Sequence, residues 1–280
     1  MYNLMKITDN DNTTPDISLS DTEKLFQGEW AESSSRDRPA GIAGRKFEKP
    51  LSIPTPAFQQ GLDSSSQEFA QLFAAIESRA AIAREFNGSS TRNAHVLGIT
   101  SALVGEGKTT VALNLAISTA RSTNRTVCLI DLGLTGESVL HRMGAVTEKT
   151  GIIQVLEGES QTCAMLKFRD FEGLTVIPAG KTPSNPARIA RSSHLEEVIE
   201  SARRMFDLIL IDMPAVSTHN ARPIAAYVDD LVMITRAGVT PEDVVANAMD
   251  HIGREKMLGV VLNRVRFAGP LWLQKRLMQR

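Results

Sequence analysis

Apolar positions divide this chain into two regimes. Through about residue 62 they are sparse and irregular. Asn, Asp, Ser and Thr dominate the start, and Pro39, Pro50, Pro54 and Pro56 punctuate the rest of that stretch. Too little apolar surface recurs there to offset the entropy of ordering, so residues 1–62 are expected to be a disordered N-terminal extension. Two short pieces within it, at 25–26 and 47–51, are apolar enough to dock elsewhere. Residues 66–86 then place Phe69, Leu72, Phe73 and Ile76 at three- and four-residue spacing. That spacing predicts an amphipathic helix covering one edge or face of a core.

From residue 95 the pattern changes to short, continuous apolar runs separated by helical stretches. The runs at 96–100, 126–131, 174–179, 206–212, 229–235 and 258–263 read as strands, and 109–122, 151–157, 194–204 and 241–252 as helices. Strands that are apolar throughout and alternate with helices predict a mostly parallel sheet covered on both faces. The expectation is one three-layer α/β domain over 63–280, binding its ligand at the carboxyl ends of the strands.

Composition adds mainly exclusions. Of 280 residues, 42% are apolar and 22% charged, which suits a globular core, and the formal net charge of −1 gives no reason to expect a nucleic-acid partner. Cys128 and Cys163 have no metal-ligand spacing and make no disulfide framework, which suits a reducing compartment. The first residues lack the apolar run of a secretory signal. No apolar stretch approaches the roughly 18 residues of a membrane span. The expected location is cytoplasmic, or peripheral at the inner face of the plasma membrane through a partner.

The strongest chemistry lies at 96–116, where a strand enters a Gly-rich turn and a helix leaves it. This is the context of a phosphate-binding P-loop. Gly105 and Gly107 let backbone N–H groups turn inward, with the Glu106 amide between them. The helix start at Lys108 aims amide dipoles at an anion. Lys108 would neutralise the terminal phosphates, Thr109 would hold Mg2+ and Thr110 would add a hydroxyl contact. A strict GxxxxGK[ST] has glycine at 102, where this chain has Ala102. Asp131 ends the second strand and Asp212 ends LILID, both placed to hold Mg2+ or its waters.

Several ordered blocks make the chain resemble the bacterial tyrosine-kinase family of the CpsD/CapB type, over roughly residues 66–266. The blocks are TSALVGEGKTT, GIIQVLEGE (151–159), IPAGKTPSNPARIARS (177–192), FDLILIDMPA (206–215), MITRAGVT (233–240) and GVVLNR (259–264). The wider relatives are the MinD/ParA ATPases, whose extra P-loop lysine falls at position 103, here Leu103. The resemblance implies a P-loop NTPase fold and ATP with Mg2+ as the bound species. It implies a role in exopolysaccharide or capsule biosynthesis and a membrane polysaccharide co-polymerase as partner. It also implies that Asn263 recognises adenine, with Arg264 flanking the base. An amide can both donate to and accept from a purine edge.

The departures bear on activity. The family's DxDxRxP segment is DLGLTGE here, so its second aspartate falls at Gly133 and its arginine at Thr135. In the family that aspartate is associated with Mg2+ and with activating the tyrosine hydroxyl, and glycine does neither. Glu137 is near in sequence only. The tail, FAGPLWLQKRLMQR, has no tyrosine cluster; Tyr2 and Tyr227 are the chain's two tyrosines. In QEFAQLFA, Ala70 and Phe73 replace basic residues used by the family in ring assembly, which bears on self-association. The expected chemistry is in-line attack on the γ-phosphate, with Lys108, Asp131 and Asp212 as catalytic groups. Either tyrosine transfer or ATPase activity fits. The alternatives are an ATP-dependent switch or scaffold of the export machinery, and a MinD/ParA-like positioning ATPase.

Overall fold

The computed structural model describes residues 4–8, 68–81, 94–134, 138–143, 150–168 and 170–265. Its strands are β1 (Leu4–Thr8), β2 (His95–Ser101), β3 (Val127–Asp131), β4 (Leu166–Phe168), β5 (Phe171–Ile177), β6 (Leu208–Asp212), β7 (Asp230–Arg236) and β8 (Met257–Val265). Helix α1 covers residues 68–81. The others are α2 (Lys108–Ser122), α3 (Val139–Arg142), α4 (Ile152–Leu156), α5 (Pro186–Ile189), α6 (His194–Arg203), α7 (Ala221–Ala225) and α8 (Glu242–Ile252). One sheet has the order β1-β8-β7-β2-β6-β3-β5-β4. Every pairing is parallel except β4 with β5.

The alternation of side chains along each strand builds the layers. Leu97, Ile99, Leu129, Leu210, Val232 and Ile234 pack to one side with α1 and α2. Val96, Cys128, Ile130, Ile211, Leu231 and Met233 pack to the other with α4, α6, α7 and α8. Both sets are apolar, which is why the strands read as continuous runs in sequence. Helix α1 inserts Phe69, Leu72, Phe73 and Ile76 into the first core. Phe73 is buried in its own domain, and the Arg125 guanidinium stands over its ring.

The leader expectation needs correction at one point. Leu4–Thr8 is not outside the fold, since it forms the edge strand beside β8. A five-residue run set in polar sequence has too short a period to reveal itself. The remainder of 1–62, the two docking pieces among it, lies outside the described residues, as do Thr135, Glu137 and the tail beyond 265. Strand β4 was also unexpected. It closes the opposite edge by a tight antiparallel return into β5.

Candidate nucleotide site

Parallel pairing brings the site together. Strand β6 lies between β2 and β3, with Asp212 in register with Ile99 on one side and Asp131 on the other. Adjacent strands stand roughly 4.8 Å apart. Two carboxylates at matching strand ends are thus held side by side, next to the loop that leaves β2. Lys108, the first residue of α2, reaches them: its Nζ is 3.6 Å from Asp212 Oδ1 and 3.3 Å from Thr109 Oγ1.

The loop has the backbone that its glycines allow. Gly105 and Gly107 have φ of 87° and 93°, in the left-handed region where a side chain is strained. Gly107 has a second constraint, because a Cβ there would stand 2.2 Å from Asn263 Nδ2. Thr109 is buried in the first turn of α2, while Thr110 is partly exposed. Leu103, at the position of the MinD/ParA lysine, is exposed.

Asp131 is tied into the turn after β3. Its Oδ2 accepts from Val139 N at 2.8 Å and its Oδ1 from Gly133 N at 3.2 Å, while Leu132 N donates to the Asp212 carbonyl at 3.0 Å. Leu134, next in the chain, is buried with a left-handed φ of 53°, which an L residue seldom adopts. Burial, and then the neighbouring Asp212 charge, push the Asp131 carboxyl up to about 6 against the pull of its amide donors and Lys108. Burial likewise raises Asp212, opposed by Lys108 and, more weakly, by Arg142 on α3. Among the described residues, neither carboxylate oxygen of Asp212 has a hydrogen-bond partner of ordinary geometry. A buried carboxylate in that condition, beside a second carboxylate and a threonine hydroxyl, fits a hard cation, which takes oxygen ligands.

The remaining expected residues divide. Asn263 stands at the loop itself: its Nδ2 donates to the Glu106 carbonyl at 2.8 Å and its Oδ1 accepts from Arg264 N at 2.9 Å. Reading an adenine edge would require the amide to exchange one of these bonds. Arg264 comes next, with φ 57° at the strand end. For Glu106 the expectation concerned its amide, and its side chain has partners of its own. Its carboxylate is buried and turned toward β7, where it accepts from Thr235 and Thr240 hydroxyls and from Arg236 N. Sequence reasoning gave Arg142 no role and noted Thr235 and Thr240 only within the block MITRAGVT, without a role at the loop; all three lie 34 or more positions from Lys108.

A Cβ built at Gly133 would lie 3.4 Å from Asp131 Oδ1, 3.7 Å from Asp212 Oδ2 and 4.0 Å from Lys108 Nζ. Position 133 is therefore part of the site, and it contributes no side chain.

A strand–P-loop–helix unit flanked by two strand-end aspartates defines a P-loop nucleotide-binding domain. Residues 97–271 match the family described as the CobQ/CobB/MinD/ParA nucleotide binding domain, and the chain belongs to that family. Within it, the chain is similar to tyrosine-protein kinases. It is 30% identical over 184 residues to the tyrosine-protein kinase CpsD of Streptococcus agalactiae, covering 65% of this chain and 79% of that protein. It is also 30% identical over 211 residues to the succinoglycan biosynthesis transport protein ExoP of Rhizobium meliloti, covering 72% of this chain and 26% of that one. Among solved structures, the VpsO kinase domain superposes with a TM-score of 0.56 at 29% identity, covering 69% of this chain and 95% of that chain. Among the described residues, no helix is long and apolar enough to cross a membrane.

Proposed function

We propose that this protein binds Mg-ATP at the Lys108 loop and serves bacterial exopolysaccharide or capsule biosynthesis from the cytoplasmic side, together with a membrane polysaccharide co-polymerase. The observation behind the reading is the convergence of Lys108, Thr109, Asp131 and Asp212 at the ends of β2, β3 and β6. Lys108 and the loop amides would take up negative charge on the β- and γ-phosphates. Thr109, Asp131 and Asp212 would hold Mg2+, which when bound would supply positive charge against the phosphates. Asn263 and Arg264 would bound the adenine.

Gly133 favours a particular version of this reading. The position lies within reach of both aspartates, yet it offers no carboxylate to the cation and no base to an acceptor hydroxyl. Nucleotide occupancy would then act mainly as a switch on the export machinery, with transfer to tyrosine weak or lost. Incubating purified protein with Mg-ATP, alone and with the cytoplasmic end of its co-polymerase, should give bound nucleotide and little phosphotyrosine on either chain. Robust phosphotyrosine would reject the switch and restore the kinase.

Cation binding should depend on pH. Asp131 must lose its proton to hold Mg2+, and its carboxyl stands near 6 rather than near 3.8. Magnesium-dependent nucleotide affinity should rise with pH up to about 6 and level above it. Stability without ligand should run the other way. A folded carboxyl held above its unfolded value contributes stability below about pH 4 that is lost as pH rises through 6. Calorimetric titrations with ATP from pH 5 to 8, with Mg2+ and with EDTA, would check this; a flat Mg2+ dependence below pH 6 counts against Asp131 as a ligand.

A further inference from the structure

Glu106 lies inside the phosphate loop, but its carboxylate serves other elements. Oε2 accepts from Leu103 N at 2.7 Å, across the first turn of the loop. Oε1 accepts from Thr235 Oγ1 at 3.1 Å, Arg236 N at 3.1 Å and Thr240 Oγ1 at 2.5 Å. The residue's own carbonyl accepts from Asn263 on β8. One side chain, 3% exposed, thus joins the loop to the end of β7 and to the segment 236–240 that leads into α8. Both oxygens face backbone N–H donors, so only an acceptor at each position satisfies them.

We infer that Glu106 is a positioning residue that holds the phosphate loop in its binding shape and transmits nucleotide occupancy to residues 236–240. The inference rests on the nucleotide reading above. A phosphate that fixes the loop amides also fixes Leu103 and the Glu106 backbone, and through the carboxylate it restrains the β7–α8 connection. By reciprocity, anything that binds and orders 236–240 raises nucleotide affinity by the same factor.

Glu106→Gln tests the pair of acceptors with almost no change of volume. In either amide orientation the NH2 group faces a backbone N–H, of Leu103 or of Arg236, and that donor loses its acceptor. Affinity for ATP should fall about tenfold. In hydrogen-exchange measurements on the wild type, Mg-ATP should slow exchange both at 103–110 and at 236–240. In Glu106→Gln at saturating ATP, one of the two links is broken whichever way the amide turns, so exchange should quicken at Leu103 or at 236–240 while the protection at 107–110 persists. A contribution to folding alone would not separate the two segments in this way. Thr235→Val with Thr240→Val removes only hydroxyl donors and keeps the loop chemistry intact. With the Arg236 N contact left in place, it should weaken the ATP-dependent protection at 236–240, so the inference stays testable if Glu106→Gln fails to fold. Unchanged exchange at 236–240 on ATP binding to the wild type overturns the inference, as does a Glu106→Gln affinity within about twofold of wild type. A wild type that binds no ATP overturns the nucleotide reading itself.

Discussion

Lys108→Ala is expected to lose ATP affinity by about two orders of magnitude, the largest effect of any single substitution in the loop. The estimate comes from charge. Lys108 Nζ is the cation at 3.6 Å from Asp212, and Asp131 lies beside it on the adjacent strand. Removing it leaves two buried carboxylates toward the phosphates, with Arg142 acting only more weakly on Asp212. Losing a charge-assisted contact to a phosphate weakens binding by about 2–3 kcal/mol, or roughly 30- to 150-fold. The Lys108 side chain is 14% exposed, so the fold of the variant is checked before its binding. Circular dichroism and thermal melting establish the fold, and calorimetry with Mg-ATP measures the loss. A well-folded Lys108→Ala protein with wild-type ATP affinity would remove the site from this loop. Lys108→Arg should recover part of the affinity, since it restores charge without the compact ammonium.

The legibility of this site depends on distance along the chain. The loop, its glycines and Lys108 lie within one strand–turn–helix unit, and local pattern exposes them together. The six core strands of the alternating region were legible because each is buried on both faces and so is apolar throughout. Asp131 and Asp212 are 81 positions apart and could be placed individually at strand ends, but their side-by-side register depends on β6 entering between β2 and β3. That order is a property of the sheet and not of either segment. Glu106 illustrates the converse limit. It sits in the most recognisable motif of the chain, and sequence reasoning considered its amide there and not its side chain. Its side chain answers Leu103 N within the loop and also donors 129 to 134 positions away, which no local pattern encodes. The edge strands β1 and β4 escaped notice for a third reason: three to five residues present too short a period to distinguish strand from loop.

Gly133→Asp should raise the rate of phosphoryl transfer under the proposed reading, and the geometry states both its benefit and its cost. The glycine has no left-handed constraint, and a Cβ there meets Asp131, Asp212 and Lys108 at 3.4–4.0 Å, so a third carboxylate would enter the site without displacing backbone. Without a cation, three carboxylates would crowd one buried ammonium. The substituted protein should lose about 1–3 kcal/mol of stability in EDTA. It should recover that loss in Mg2+, which gives the new side chain an oxygen-ligand role. With Mg-ATP, the added ligand stands where charge develops during transfer and where an acceptor hydroxyl could be deprotonated. Hydrolysis or transfer should therefore rise by about tenfold or more, within the roughly 100- to 1000-fold range of one well-placed electrostatic group. Two measurements separate the cases. A stability gap between EDTA and Mg2+ that is wider in the variant than in the wild type places residue 133 at the cation. A higher turnover number at unchanged ATP affinity places it in the transition state. If the variant melts identically with and without Mg2+ and turns over no faster, then residue 133 lies outside the cation site and Gly133 gives no ground for the switch over the kinase.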